Sequence, residues 1–110
     1  MARRPKKASA RSQRRSAARA GEKLATQRRR LARLELGGTP ERPIQVPSAS
    51  VIEVQALARP CLACEALRLR VLEHRAEELA GVRLRVVDVS CAVCAEPRRF
   101  FFEIANVGPN

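Results

Sequence analysis

All four cysteines of this chain fall in two couples of identical spacing, Cys61-Leu62-Ala63-Cys64 and Cys91-Ala92-Val93-Cys94, and no other feature restricts the fold as much. Two intervening residues let a chain turn so that both sulfurs point at one ion, and a metal of tetrahedral preference takes two sulfurs from each couple. Cys61, Cys64, Cys91 and Cys94 are therefore read as the ligands of one structural metal ion. Zinc is the default for such a site, and iron is the alternative that the same ligands would hold. Two disulfides also fit the count, but that pattern belongs mainly to secreted chains, and no signal-peptide pattern is present. A redox dithiol needs only one couple, normally beside a βαβ pattern.

With strand-like sequence following each couple, Cys61, Cys64, Cys91 and Cys94 resemble the two knuckles of a rubredoxin-like zinc ribbon, over roughly residues 51–105. One departure stands out. Zinc knuckles often carry Gly just after the second cysteine, and here Glu65 and Ala95 follow. A residue with a Cβ costs roughly 1 kcal/mol in a left-handed conformation, so a different closing turn is expected.

Charge divides the chain. Residues 1–36 hold thirteen Lys or Arg against Glu22 and Glu35, whereas residues 37–110 hold nine basic and nine acidic residues. The whole net charge of +11 therefore lies in the first third. The neutral remainder is of a size at which a hydrophobic core alone is marginal, so a metal would supply much of its folding free energy. Four thiolates on Zn²⁺ carry a net −2, and Arg59, Arg98 and Arg99 are close enough in sequence to offset it, or are ordinary solvated surface arginines.

The expected fold class is mainly β: a small antiparallel zinc-ribbon sheet of three or four strands, preceded by a disordered basic tail and a short helix. Residues 1–20 are poor in apolar side chains and dense in like charge, which predicts disorder. Residues 21–36 predict a short basic helix with a thin leucine stripe (Leu24, Leu31, Leu34) that packs on the ribbon or orders on a partner, and Gly37-Gly38 signal its stop. Residues 37–50, with Pro40, Pro43 and Pro47, read as a linker, and 106–110 as a C-terminal tail. Within 51–105, strands are expected at 51–57, about 66–75, 82–89 and 98–105, with a turn at 77–81; a helix over 66–80 is the alternative for the second. The expected core is Val51, Val54, Leu67, Leu69, Val71, Leu84, Val86, Val89, Phe100, Phe102 and Ile104.

An enzyme is hard to build from these residues. The single histidine, His74, is far in sequence from any hydroxyl nucleophile, and there is no Gly-rich phosphate loop. His74 is read as a surface or sheet-face residue. Four protein sulfurs leave a metal no open position for water or substrate, so the site is expected to be structural.

The basic arm offers binding instead. Arg3, Arg4, Lys6, Lys7, Arg11, Arg14, Arg15, Arg19, Arg28, Arg29, Arg30 and Arg33 are the candidate contacts to nucleic-acid phosphates, a mode with strong salt dependence and little sequence discrimination. RNA is favoured over duplex DNA, because Arg-rich disordered segments recurrently fold on RNA. A solubilising or targeting extension is the plainer reading of the same residues. Phe101, if exposed between Arg99 and Glu103, could stack on an unpaired base; the plainer reading puts all three phenylalanines on the two sides of a small sheet. Two other functional readings are a protein-interaction adaptor using an exposed sheet edge and a thiol redox switch. No apolar run approaches the ~18 residues of a membrane span, and no membrane partner is expected. Heavy Arg and Ala usage leans toward a bacterial cytoplasm, with an organelle transit peptide as the minor alternative.

Overall fold

Residues 82–91 read Val-Arg-Leu-Arg-Val-Val-Asp-Val-Ser-Cys, and the β-branched run at their centre suits a strand covered on both sides. The computed structural model describes residues 9–105 and bears this out. Its elements are α1 (Ala10–Leu34), β1 (Ile44–Val46), a single 3₁₀ turn (Ala49–Val51), α2 (Ile52–Leu57), β2 (Leu69–Leu79), β3 (Val82–Cys91) and β4 (Pro97–Ile104). The four strands form one open sheet in the order β1-β4-β3-β2. Hairpin pairing makes β2/β3 and β3/β4 antiparallel, while β1 joins β4 in parallel, so the sheet is mixed rather than purely antiparallel.

Side chains alternate across β3 and β4, and both faces are used. On one face Val87, Val89, Cys91, Phe100 and Phe102 pack with Val46, Ile52, Ala56 and Cys61. On the other, Leu84, Val86 and Phe101 form a smaller cluster with Leu79. Phe101 is only 9% exposed, so the stacking reading is set aside and all three rings fill the sheet.

The β2–β3 connection is tighter than the expected 77–81 turn. Ala80 and Gly81 both have positive φ (51° and 78°), the condition for a two-residue turn whose twist matches a hairpin. Strand β2 accordingly runs on to Leu79 and is not the alternative helix. Its register slips between Val71 and Glu73, leaving Leu72 without a partner and exposed.

Four expectations are corrected. Residues 51–57 are not a strand: Ile52 and Ala56, four apart, bury one face of helix α2, and Val54 is 69% exposed. Burying two residues on one helical face outweighs β propensity here. Leu67 and Ile104 also lie outside the core, Leu67 before β2 begins and Ile104 at the end of β4. Within the linker, Ile44–Val46 forms β1 against the register Ile44↔Phe102 and Val46↔Ile104.

The fourth concerns the arm. Helix α1 starts at Ala10, so residues 10–20 are helical rather than a disordered tail, and the helix is more than one short segment. Ser9 caps it by accepting from the Ser12 N–H at 3.1 Å, and its Ala, Arg, Gln and Leu content consists of good helix formers. Residues 1–8 and 106–110, which include Arg3, Arg4, Lys6, Lys7 and the expected C-terminal tail, lie outside the described residues. At its other end Arg42 donates to the Leu34 carbonyl at 2.8 Å. A Cβ on Gly38 would stand 2.1 Å from the Ala32 carbonyl oxygen, so only glycine lets the chain double back there. The leucine stripe does not face the sheet domain. Ala25 and Ala32 are buried, whereas Leu24, Leu31 and Leu34 are exposed. Small side chains allow the helix to approach closely, which the bulkier leucines would prevent.

Among the described residues no helix is long and apolar enough to cross a membrane.

Candidate metal centre

Both cysteine couples sit on turns of one form. The Cys61 N–H donates to the Ala66 carbonyl and the Glu65 N–H to the Cys61 carbonyl, each at 3.0 Å. In the second couple the Cys91 N–H donates to the Glu96 carbonyl at 3.0 Å and the Ala95 N–H to the Cys91 carbonyl at 2.9 Å. Glu65 and Ala95 take φ of 63° and 64°, so the knuckles close through the left-handed turn after all, without glycine. The expected different turn is overturned because two backbone bonds per knuckle hold the conformation against its local cost.

These turns aim sulfurs inward. The N–H groups of Ala63 and Cys64 point at Cys61 Sγ (3.4 and 3.5 Å), and the Val93 N–H points at Cys91 Sγ (3.4 Å). Strand β3 delivers Cys91 directly, and an Ala92 N–H bond to the Arg68 carbonyl (2.8 Å) ties the second knuckle to the segment leaving the first.

All four sulfurs lie within 4.8 Å of one another. The short separations run across the couples, Cys61 to Cys94 and Cys64 to Cys91, each 3.5 Å. A disulfide bond would be about 2.05 Å, and the thiols are free. A tetrahedral ion with Zn–S bonds of about 2.3 Å holds its sulfurs about 3.8 Å apart, close to what is found. The four cysteines are positioned to bind one metal ion. A scan against protein-family models matched none, and searches of curated proteins and of solved structures found no match.

The sulfurs differ in acidity. The backbone N–H groups of Cys94 and Val93 pull the Cys91 thiol down to about 6. The Glu96 N–H lowers Cys94 as well, but burial and the three neighbouring sulfurs outweigh it and push that thiol up to about 12. Crowded sulfurs resist joint ionisation, and a divalent cation removes that resistance.

The surroundings of the sulfurs include two arginines assigned above to nucleic acid. Arg28 donates to the Leu62 and Ala63 carbonyls (3.4 Å each) and pairs with Glu65 at 2.7 Å, all on the first knuckle. Arg29 binds the Glu96 carboxylate beside the second knuckle through contacts of 2.7 and 2.9 Å. Helix α1 thus docks across both couples through Arg28, half-buried, and Arg29, exposed but ion-paired, while Arg11, Arg14, Arg15, Arg19, Arg30 and Arg33 are exposed. Sequence reasoning missed Glu65 and Glu96 as anchors, although acidic residues so close behind each couple were the available signal.

Of the three arginines expected to offset the site, Arg98 and Arg59 flank the first couple. Both guanidinium groups lie over the Phe100 ring, at 4.5 and 5.6 Å from its centroid, and Arg98 donates to the Pro60 carbonyl at 3.3 Å. Arg99 instead pairs with Asp88 at 2.6 Å. His74 is not part of the cluster. It lies on β2 with Nδ1 3.4 Å from the Glu53 carboxylate of α2.

Proposed function

We propose that this chain is a non-enzymatic zinc-ribbon protein: one structural zinc secures a small sheet, and the arginine-rich helix α1 binds nucleic acid through backbone phosphates. The observation that carries this reading is the confinement of the +11 surplus to residues 1–36, most of which form a helix whose first half is exposed on all sides. Cations held this way release counterions from a polyphosphate and bind with steep salt dependence. Four sulfurs complete a tetrahedral shell, which favours a structural role for the metal over a catalytic one. The preference for RNA rested on an arm that is disordered until it binds; a helical α1 removes that ground, while phosphate binding does not depend on it.

Two measurements on the full chain test the proposal. Metal analysis of purified protein is expected to return about one zinc per chain. Replacing Arg11, Arg14, Arg15 and Arg19 by Gln is expected to weaken binding to mixed oligonucleotides roughly tenfold or more at low salt and to flatten its salt dependence. Equal affinity for wild type and variant would remove the nucleic-acid role.

A protein-docking adaptor is the second reading, and β2 favours it as an eleven-residue strand on an open sheet edge. Salt-insensitive binding of a single protein partner, unaffected by the four substitutions, would support it.

A further inference from the structure

Two observations bear on which nucleic acid suits this chain. The first concerns rings. Proteins that hold unpaired strands stack successive bases on exposed aromatic side chains. This sequence has three phenylalanines and no Trp or Tyr, and Phe100, Phe101 and Phe102 are all buried in the sheet. No stacking platform is left.

The second concerns the arm. Helix α1 is 25 residues long and formed in advance, which at 1.5 Å per residue is about 37 Å. Only its last turns are docked, through Ala25, Arg28, Arg29 and Ala32, while residues 9–24 are exposed throughout. At 100° per residue, the side of the helix turned away from the docked stripe carries Ser12, Ser16, Arg19, Lys23 and Arg30. Small hydroxyls flanked by cations, on a face directed away from the protein body, can approach base edges while the cations meet phosphates. The major groove of B-form DNA is about 12 Å wide and admits a helix of about 10–12 Å diameter, whereas that of A-form RNA is deep and narrow.

We infer that α1 takes double-stranded B-form DNA, with its Ser12–Ser16 face in the major groove, rather than an unpaired strand or an RNA duplex. This rests on the nucleic-acid reading proposed above and reverses the preference for RNA drawn from the sequence.

The test uses the metal-loaded full chain and fluorescence anisotropy with three probes: a DNA duplex of about 20 base pairs, one of its single strands, and an RNA duplex of the same sequence, each titrated across salt. The DNA duplex is expected to bind roughly tenfold or more tightly than either of the others. The Arg19→Gln/Lys23→Gln variant is expected to reduce the magnitude of its log–log salt slope by about 2. Equal or tighter binding of the single strand or the RNA duplex overturns this inference and leaves the proposed function standing. A salt slope unchanged in the variant overturns the assigned face. Absence of binding to all three probes removes the proposed function, and this inference with it.

Discussion

Arg29 on α1 and Glu96 behind the second cysteine couple form a two-oxygen ion pair, with contacts of 2.7 and 2.9 Å, in which the glutamate side chain is only 9% exposed. The pair is one of two arginine attachments between the basic helix and the metal knuckles. Arg29→Ala leaves a nearly buried carboxylate without its cation and is expected to cost roughly 1 to 2 kcal/mol, since Arg29 itself is well solvated. Thermal melting and hydrogen exchange check this. Amide protection should fall over residues 25–34 while β2, β3 and β4 keep theirs, and the swap Arg29→Glu with Glu96→Arg should restore part of the loss. Unchanged protection of α1 in Arg29→Ala would show that the helix does not depend on this attachment.

Any one cysteine changed to Ser is expected to abolish stoichiometric metal binding and to unfold the sheet domain, because binding free energy of about 10 kcal/mol or more for a structural zinc is folding free energy in so small a core. Cys61→Ser and Cys91→Ser should be at least as damaging as the other two, since both positions are buried and each substitution also places a hydroxyl in the core. Metal analysis with circular dichroism measures both effects. An unchanged melting point in any of the four contradicts the expectation.

Asp88 accepts from Arg99 at 2.6 Å and from Arg75 at 2.7 Å, and these two guanidinium groups hold its carboxyl below the usual value of 3.8 against the opposing effect of burial. A depressed carboxylate stabilises fully above its unfolded-state value, and the contribution fades only as pH falls through the lower folded value. Between about pH 6 and about pH 8 the pairs are therefore constant. Asp88→Asn should lower stability by roughly 1 to 2 kcal/mol by the same amount across that window. A difference from wild type that changes with pH there would assign the titration to another group.

Ala95 and Glu65 occupy equivalent left-handed positions, but only Glu65 has a partner in Arg28 at 2.7 Å. Ala95→Gly relieves a local cost of roughly 1 kcal/mol, partly offset by the freer unfolded chain, and is expected to raise the melting temperature slightly. Glu65→Gly relieves the same cost but discards the ion pair, and is expected to give no gain. Thermal melts of the two metal-loaded variants, side by side, decide it; a larger gain for Glu65→Gly would mean that the Arg28 pair contributes nothing.

Much of this architecture was legible where local chemistry and tertiary packing agree. The paired cysteine spacing located the cysteine cluster, and the apolar run over residues 82–89 located β3, although not that both its faces are buried. The failures have physical causes. Val51–Leu57 looks like a strand by composition, yet the i, i+4 pair Ile52 and Ala56 decides its packing as a helix. Strand β1 has three residues between Pro43 and Pro47, and its parallel partner β4 lies over fifty residues away, so nothing local announces it. On α1 the leucines suggested the docking face, but the buried positions are Ala25 and Ala32, with Arg28 and Arg29 supplying the attachment. Bulk marks a docking face only where the partner surface leaves room for it.

Among the described residues, α1 is held near its C-terminal end alone and so forms a cantilever. About fifteen residues, or roughly 22 Å, extend beyond the last docked alanine. A rotation of about ten degrees at the knuckles would swing the free end by about 4 Å, comparable with the distance over which a guanidinium gains or loses a salt bridge. Small changes in how the cysteine turns sit are thereby amplified into a change of reach for the outermost arginines.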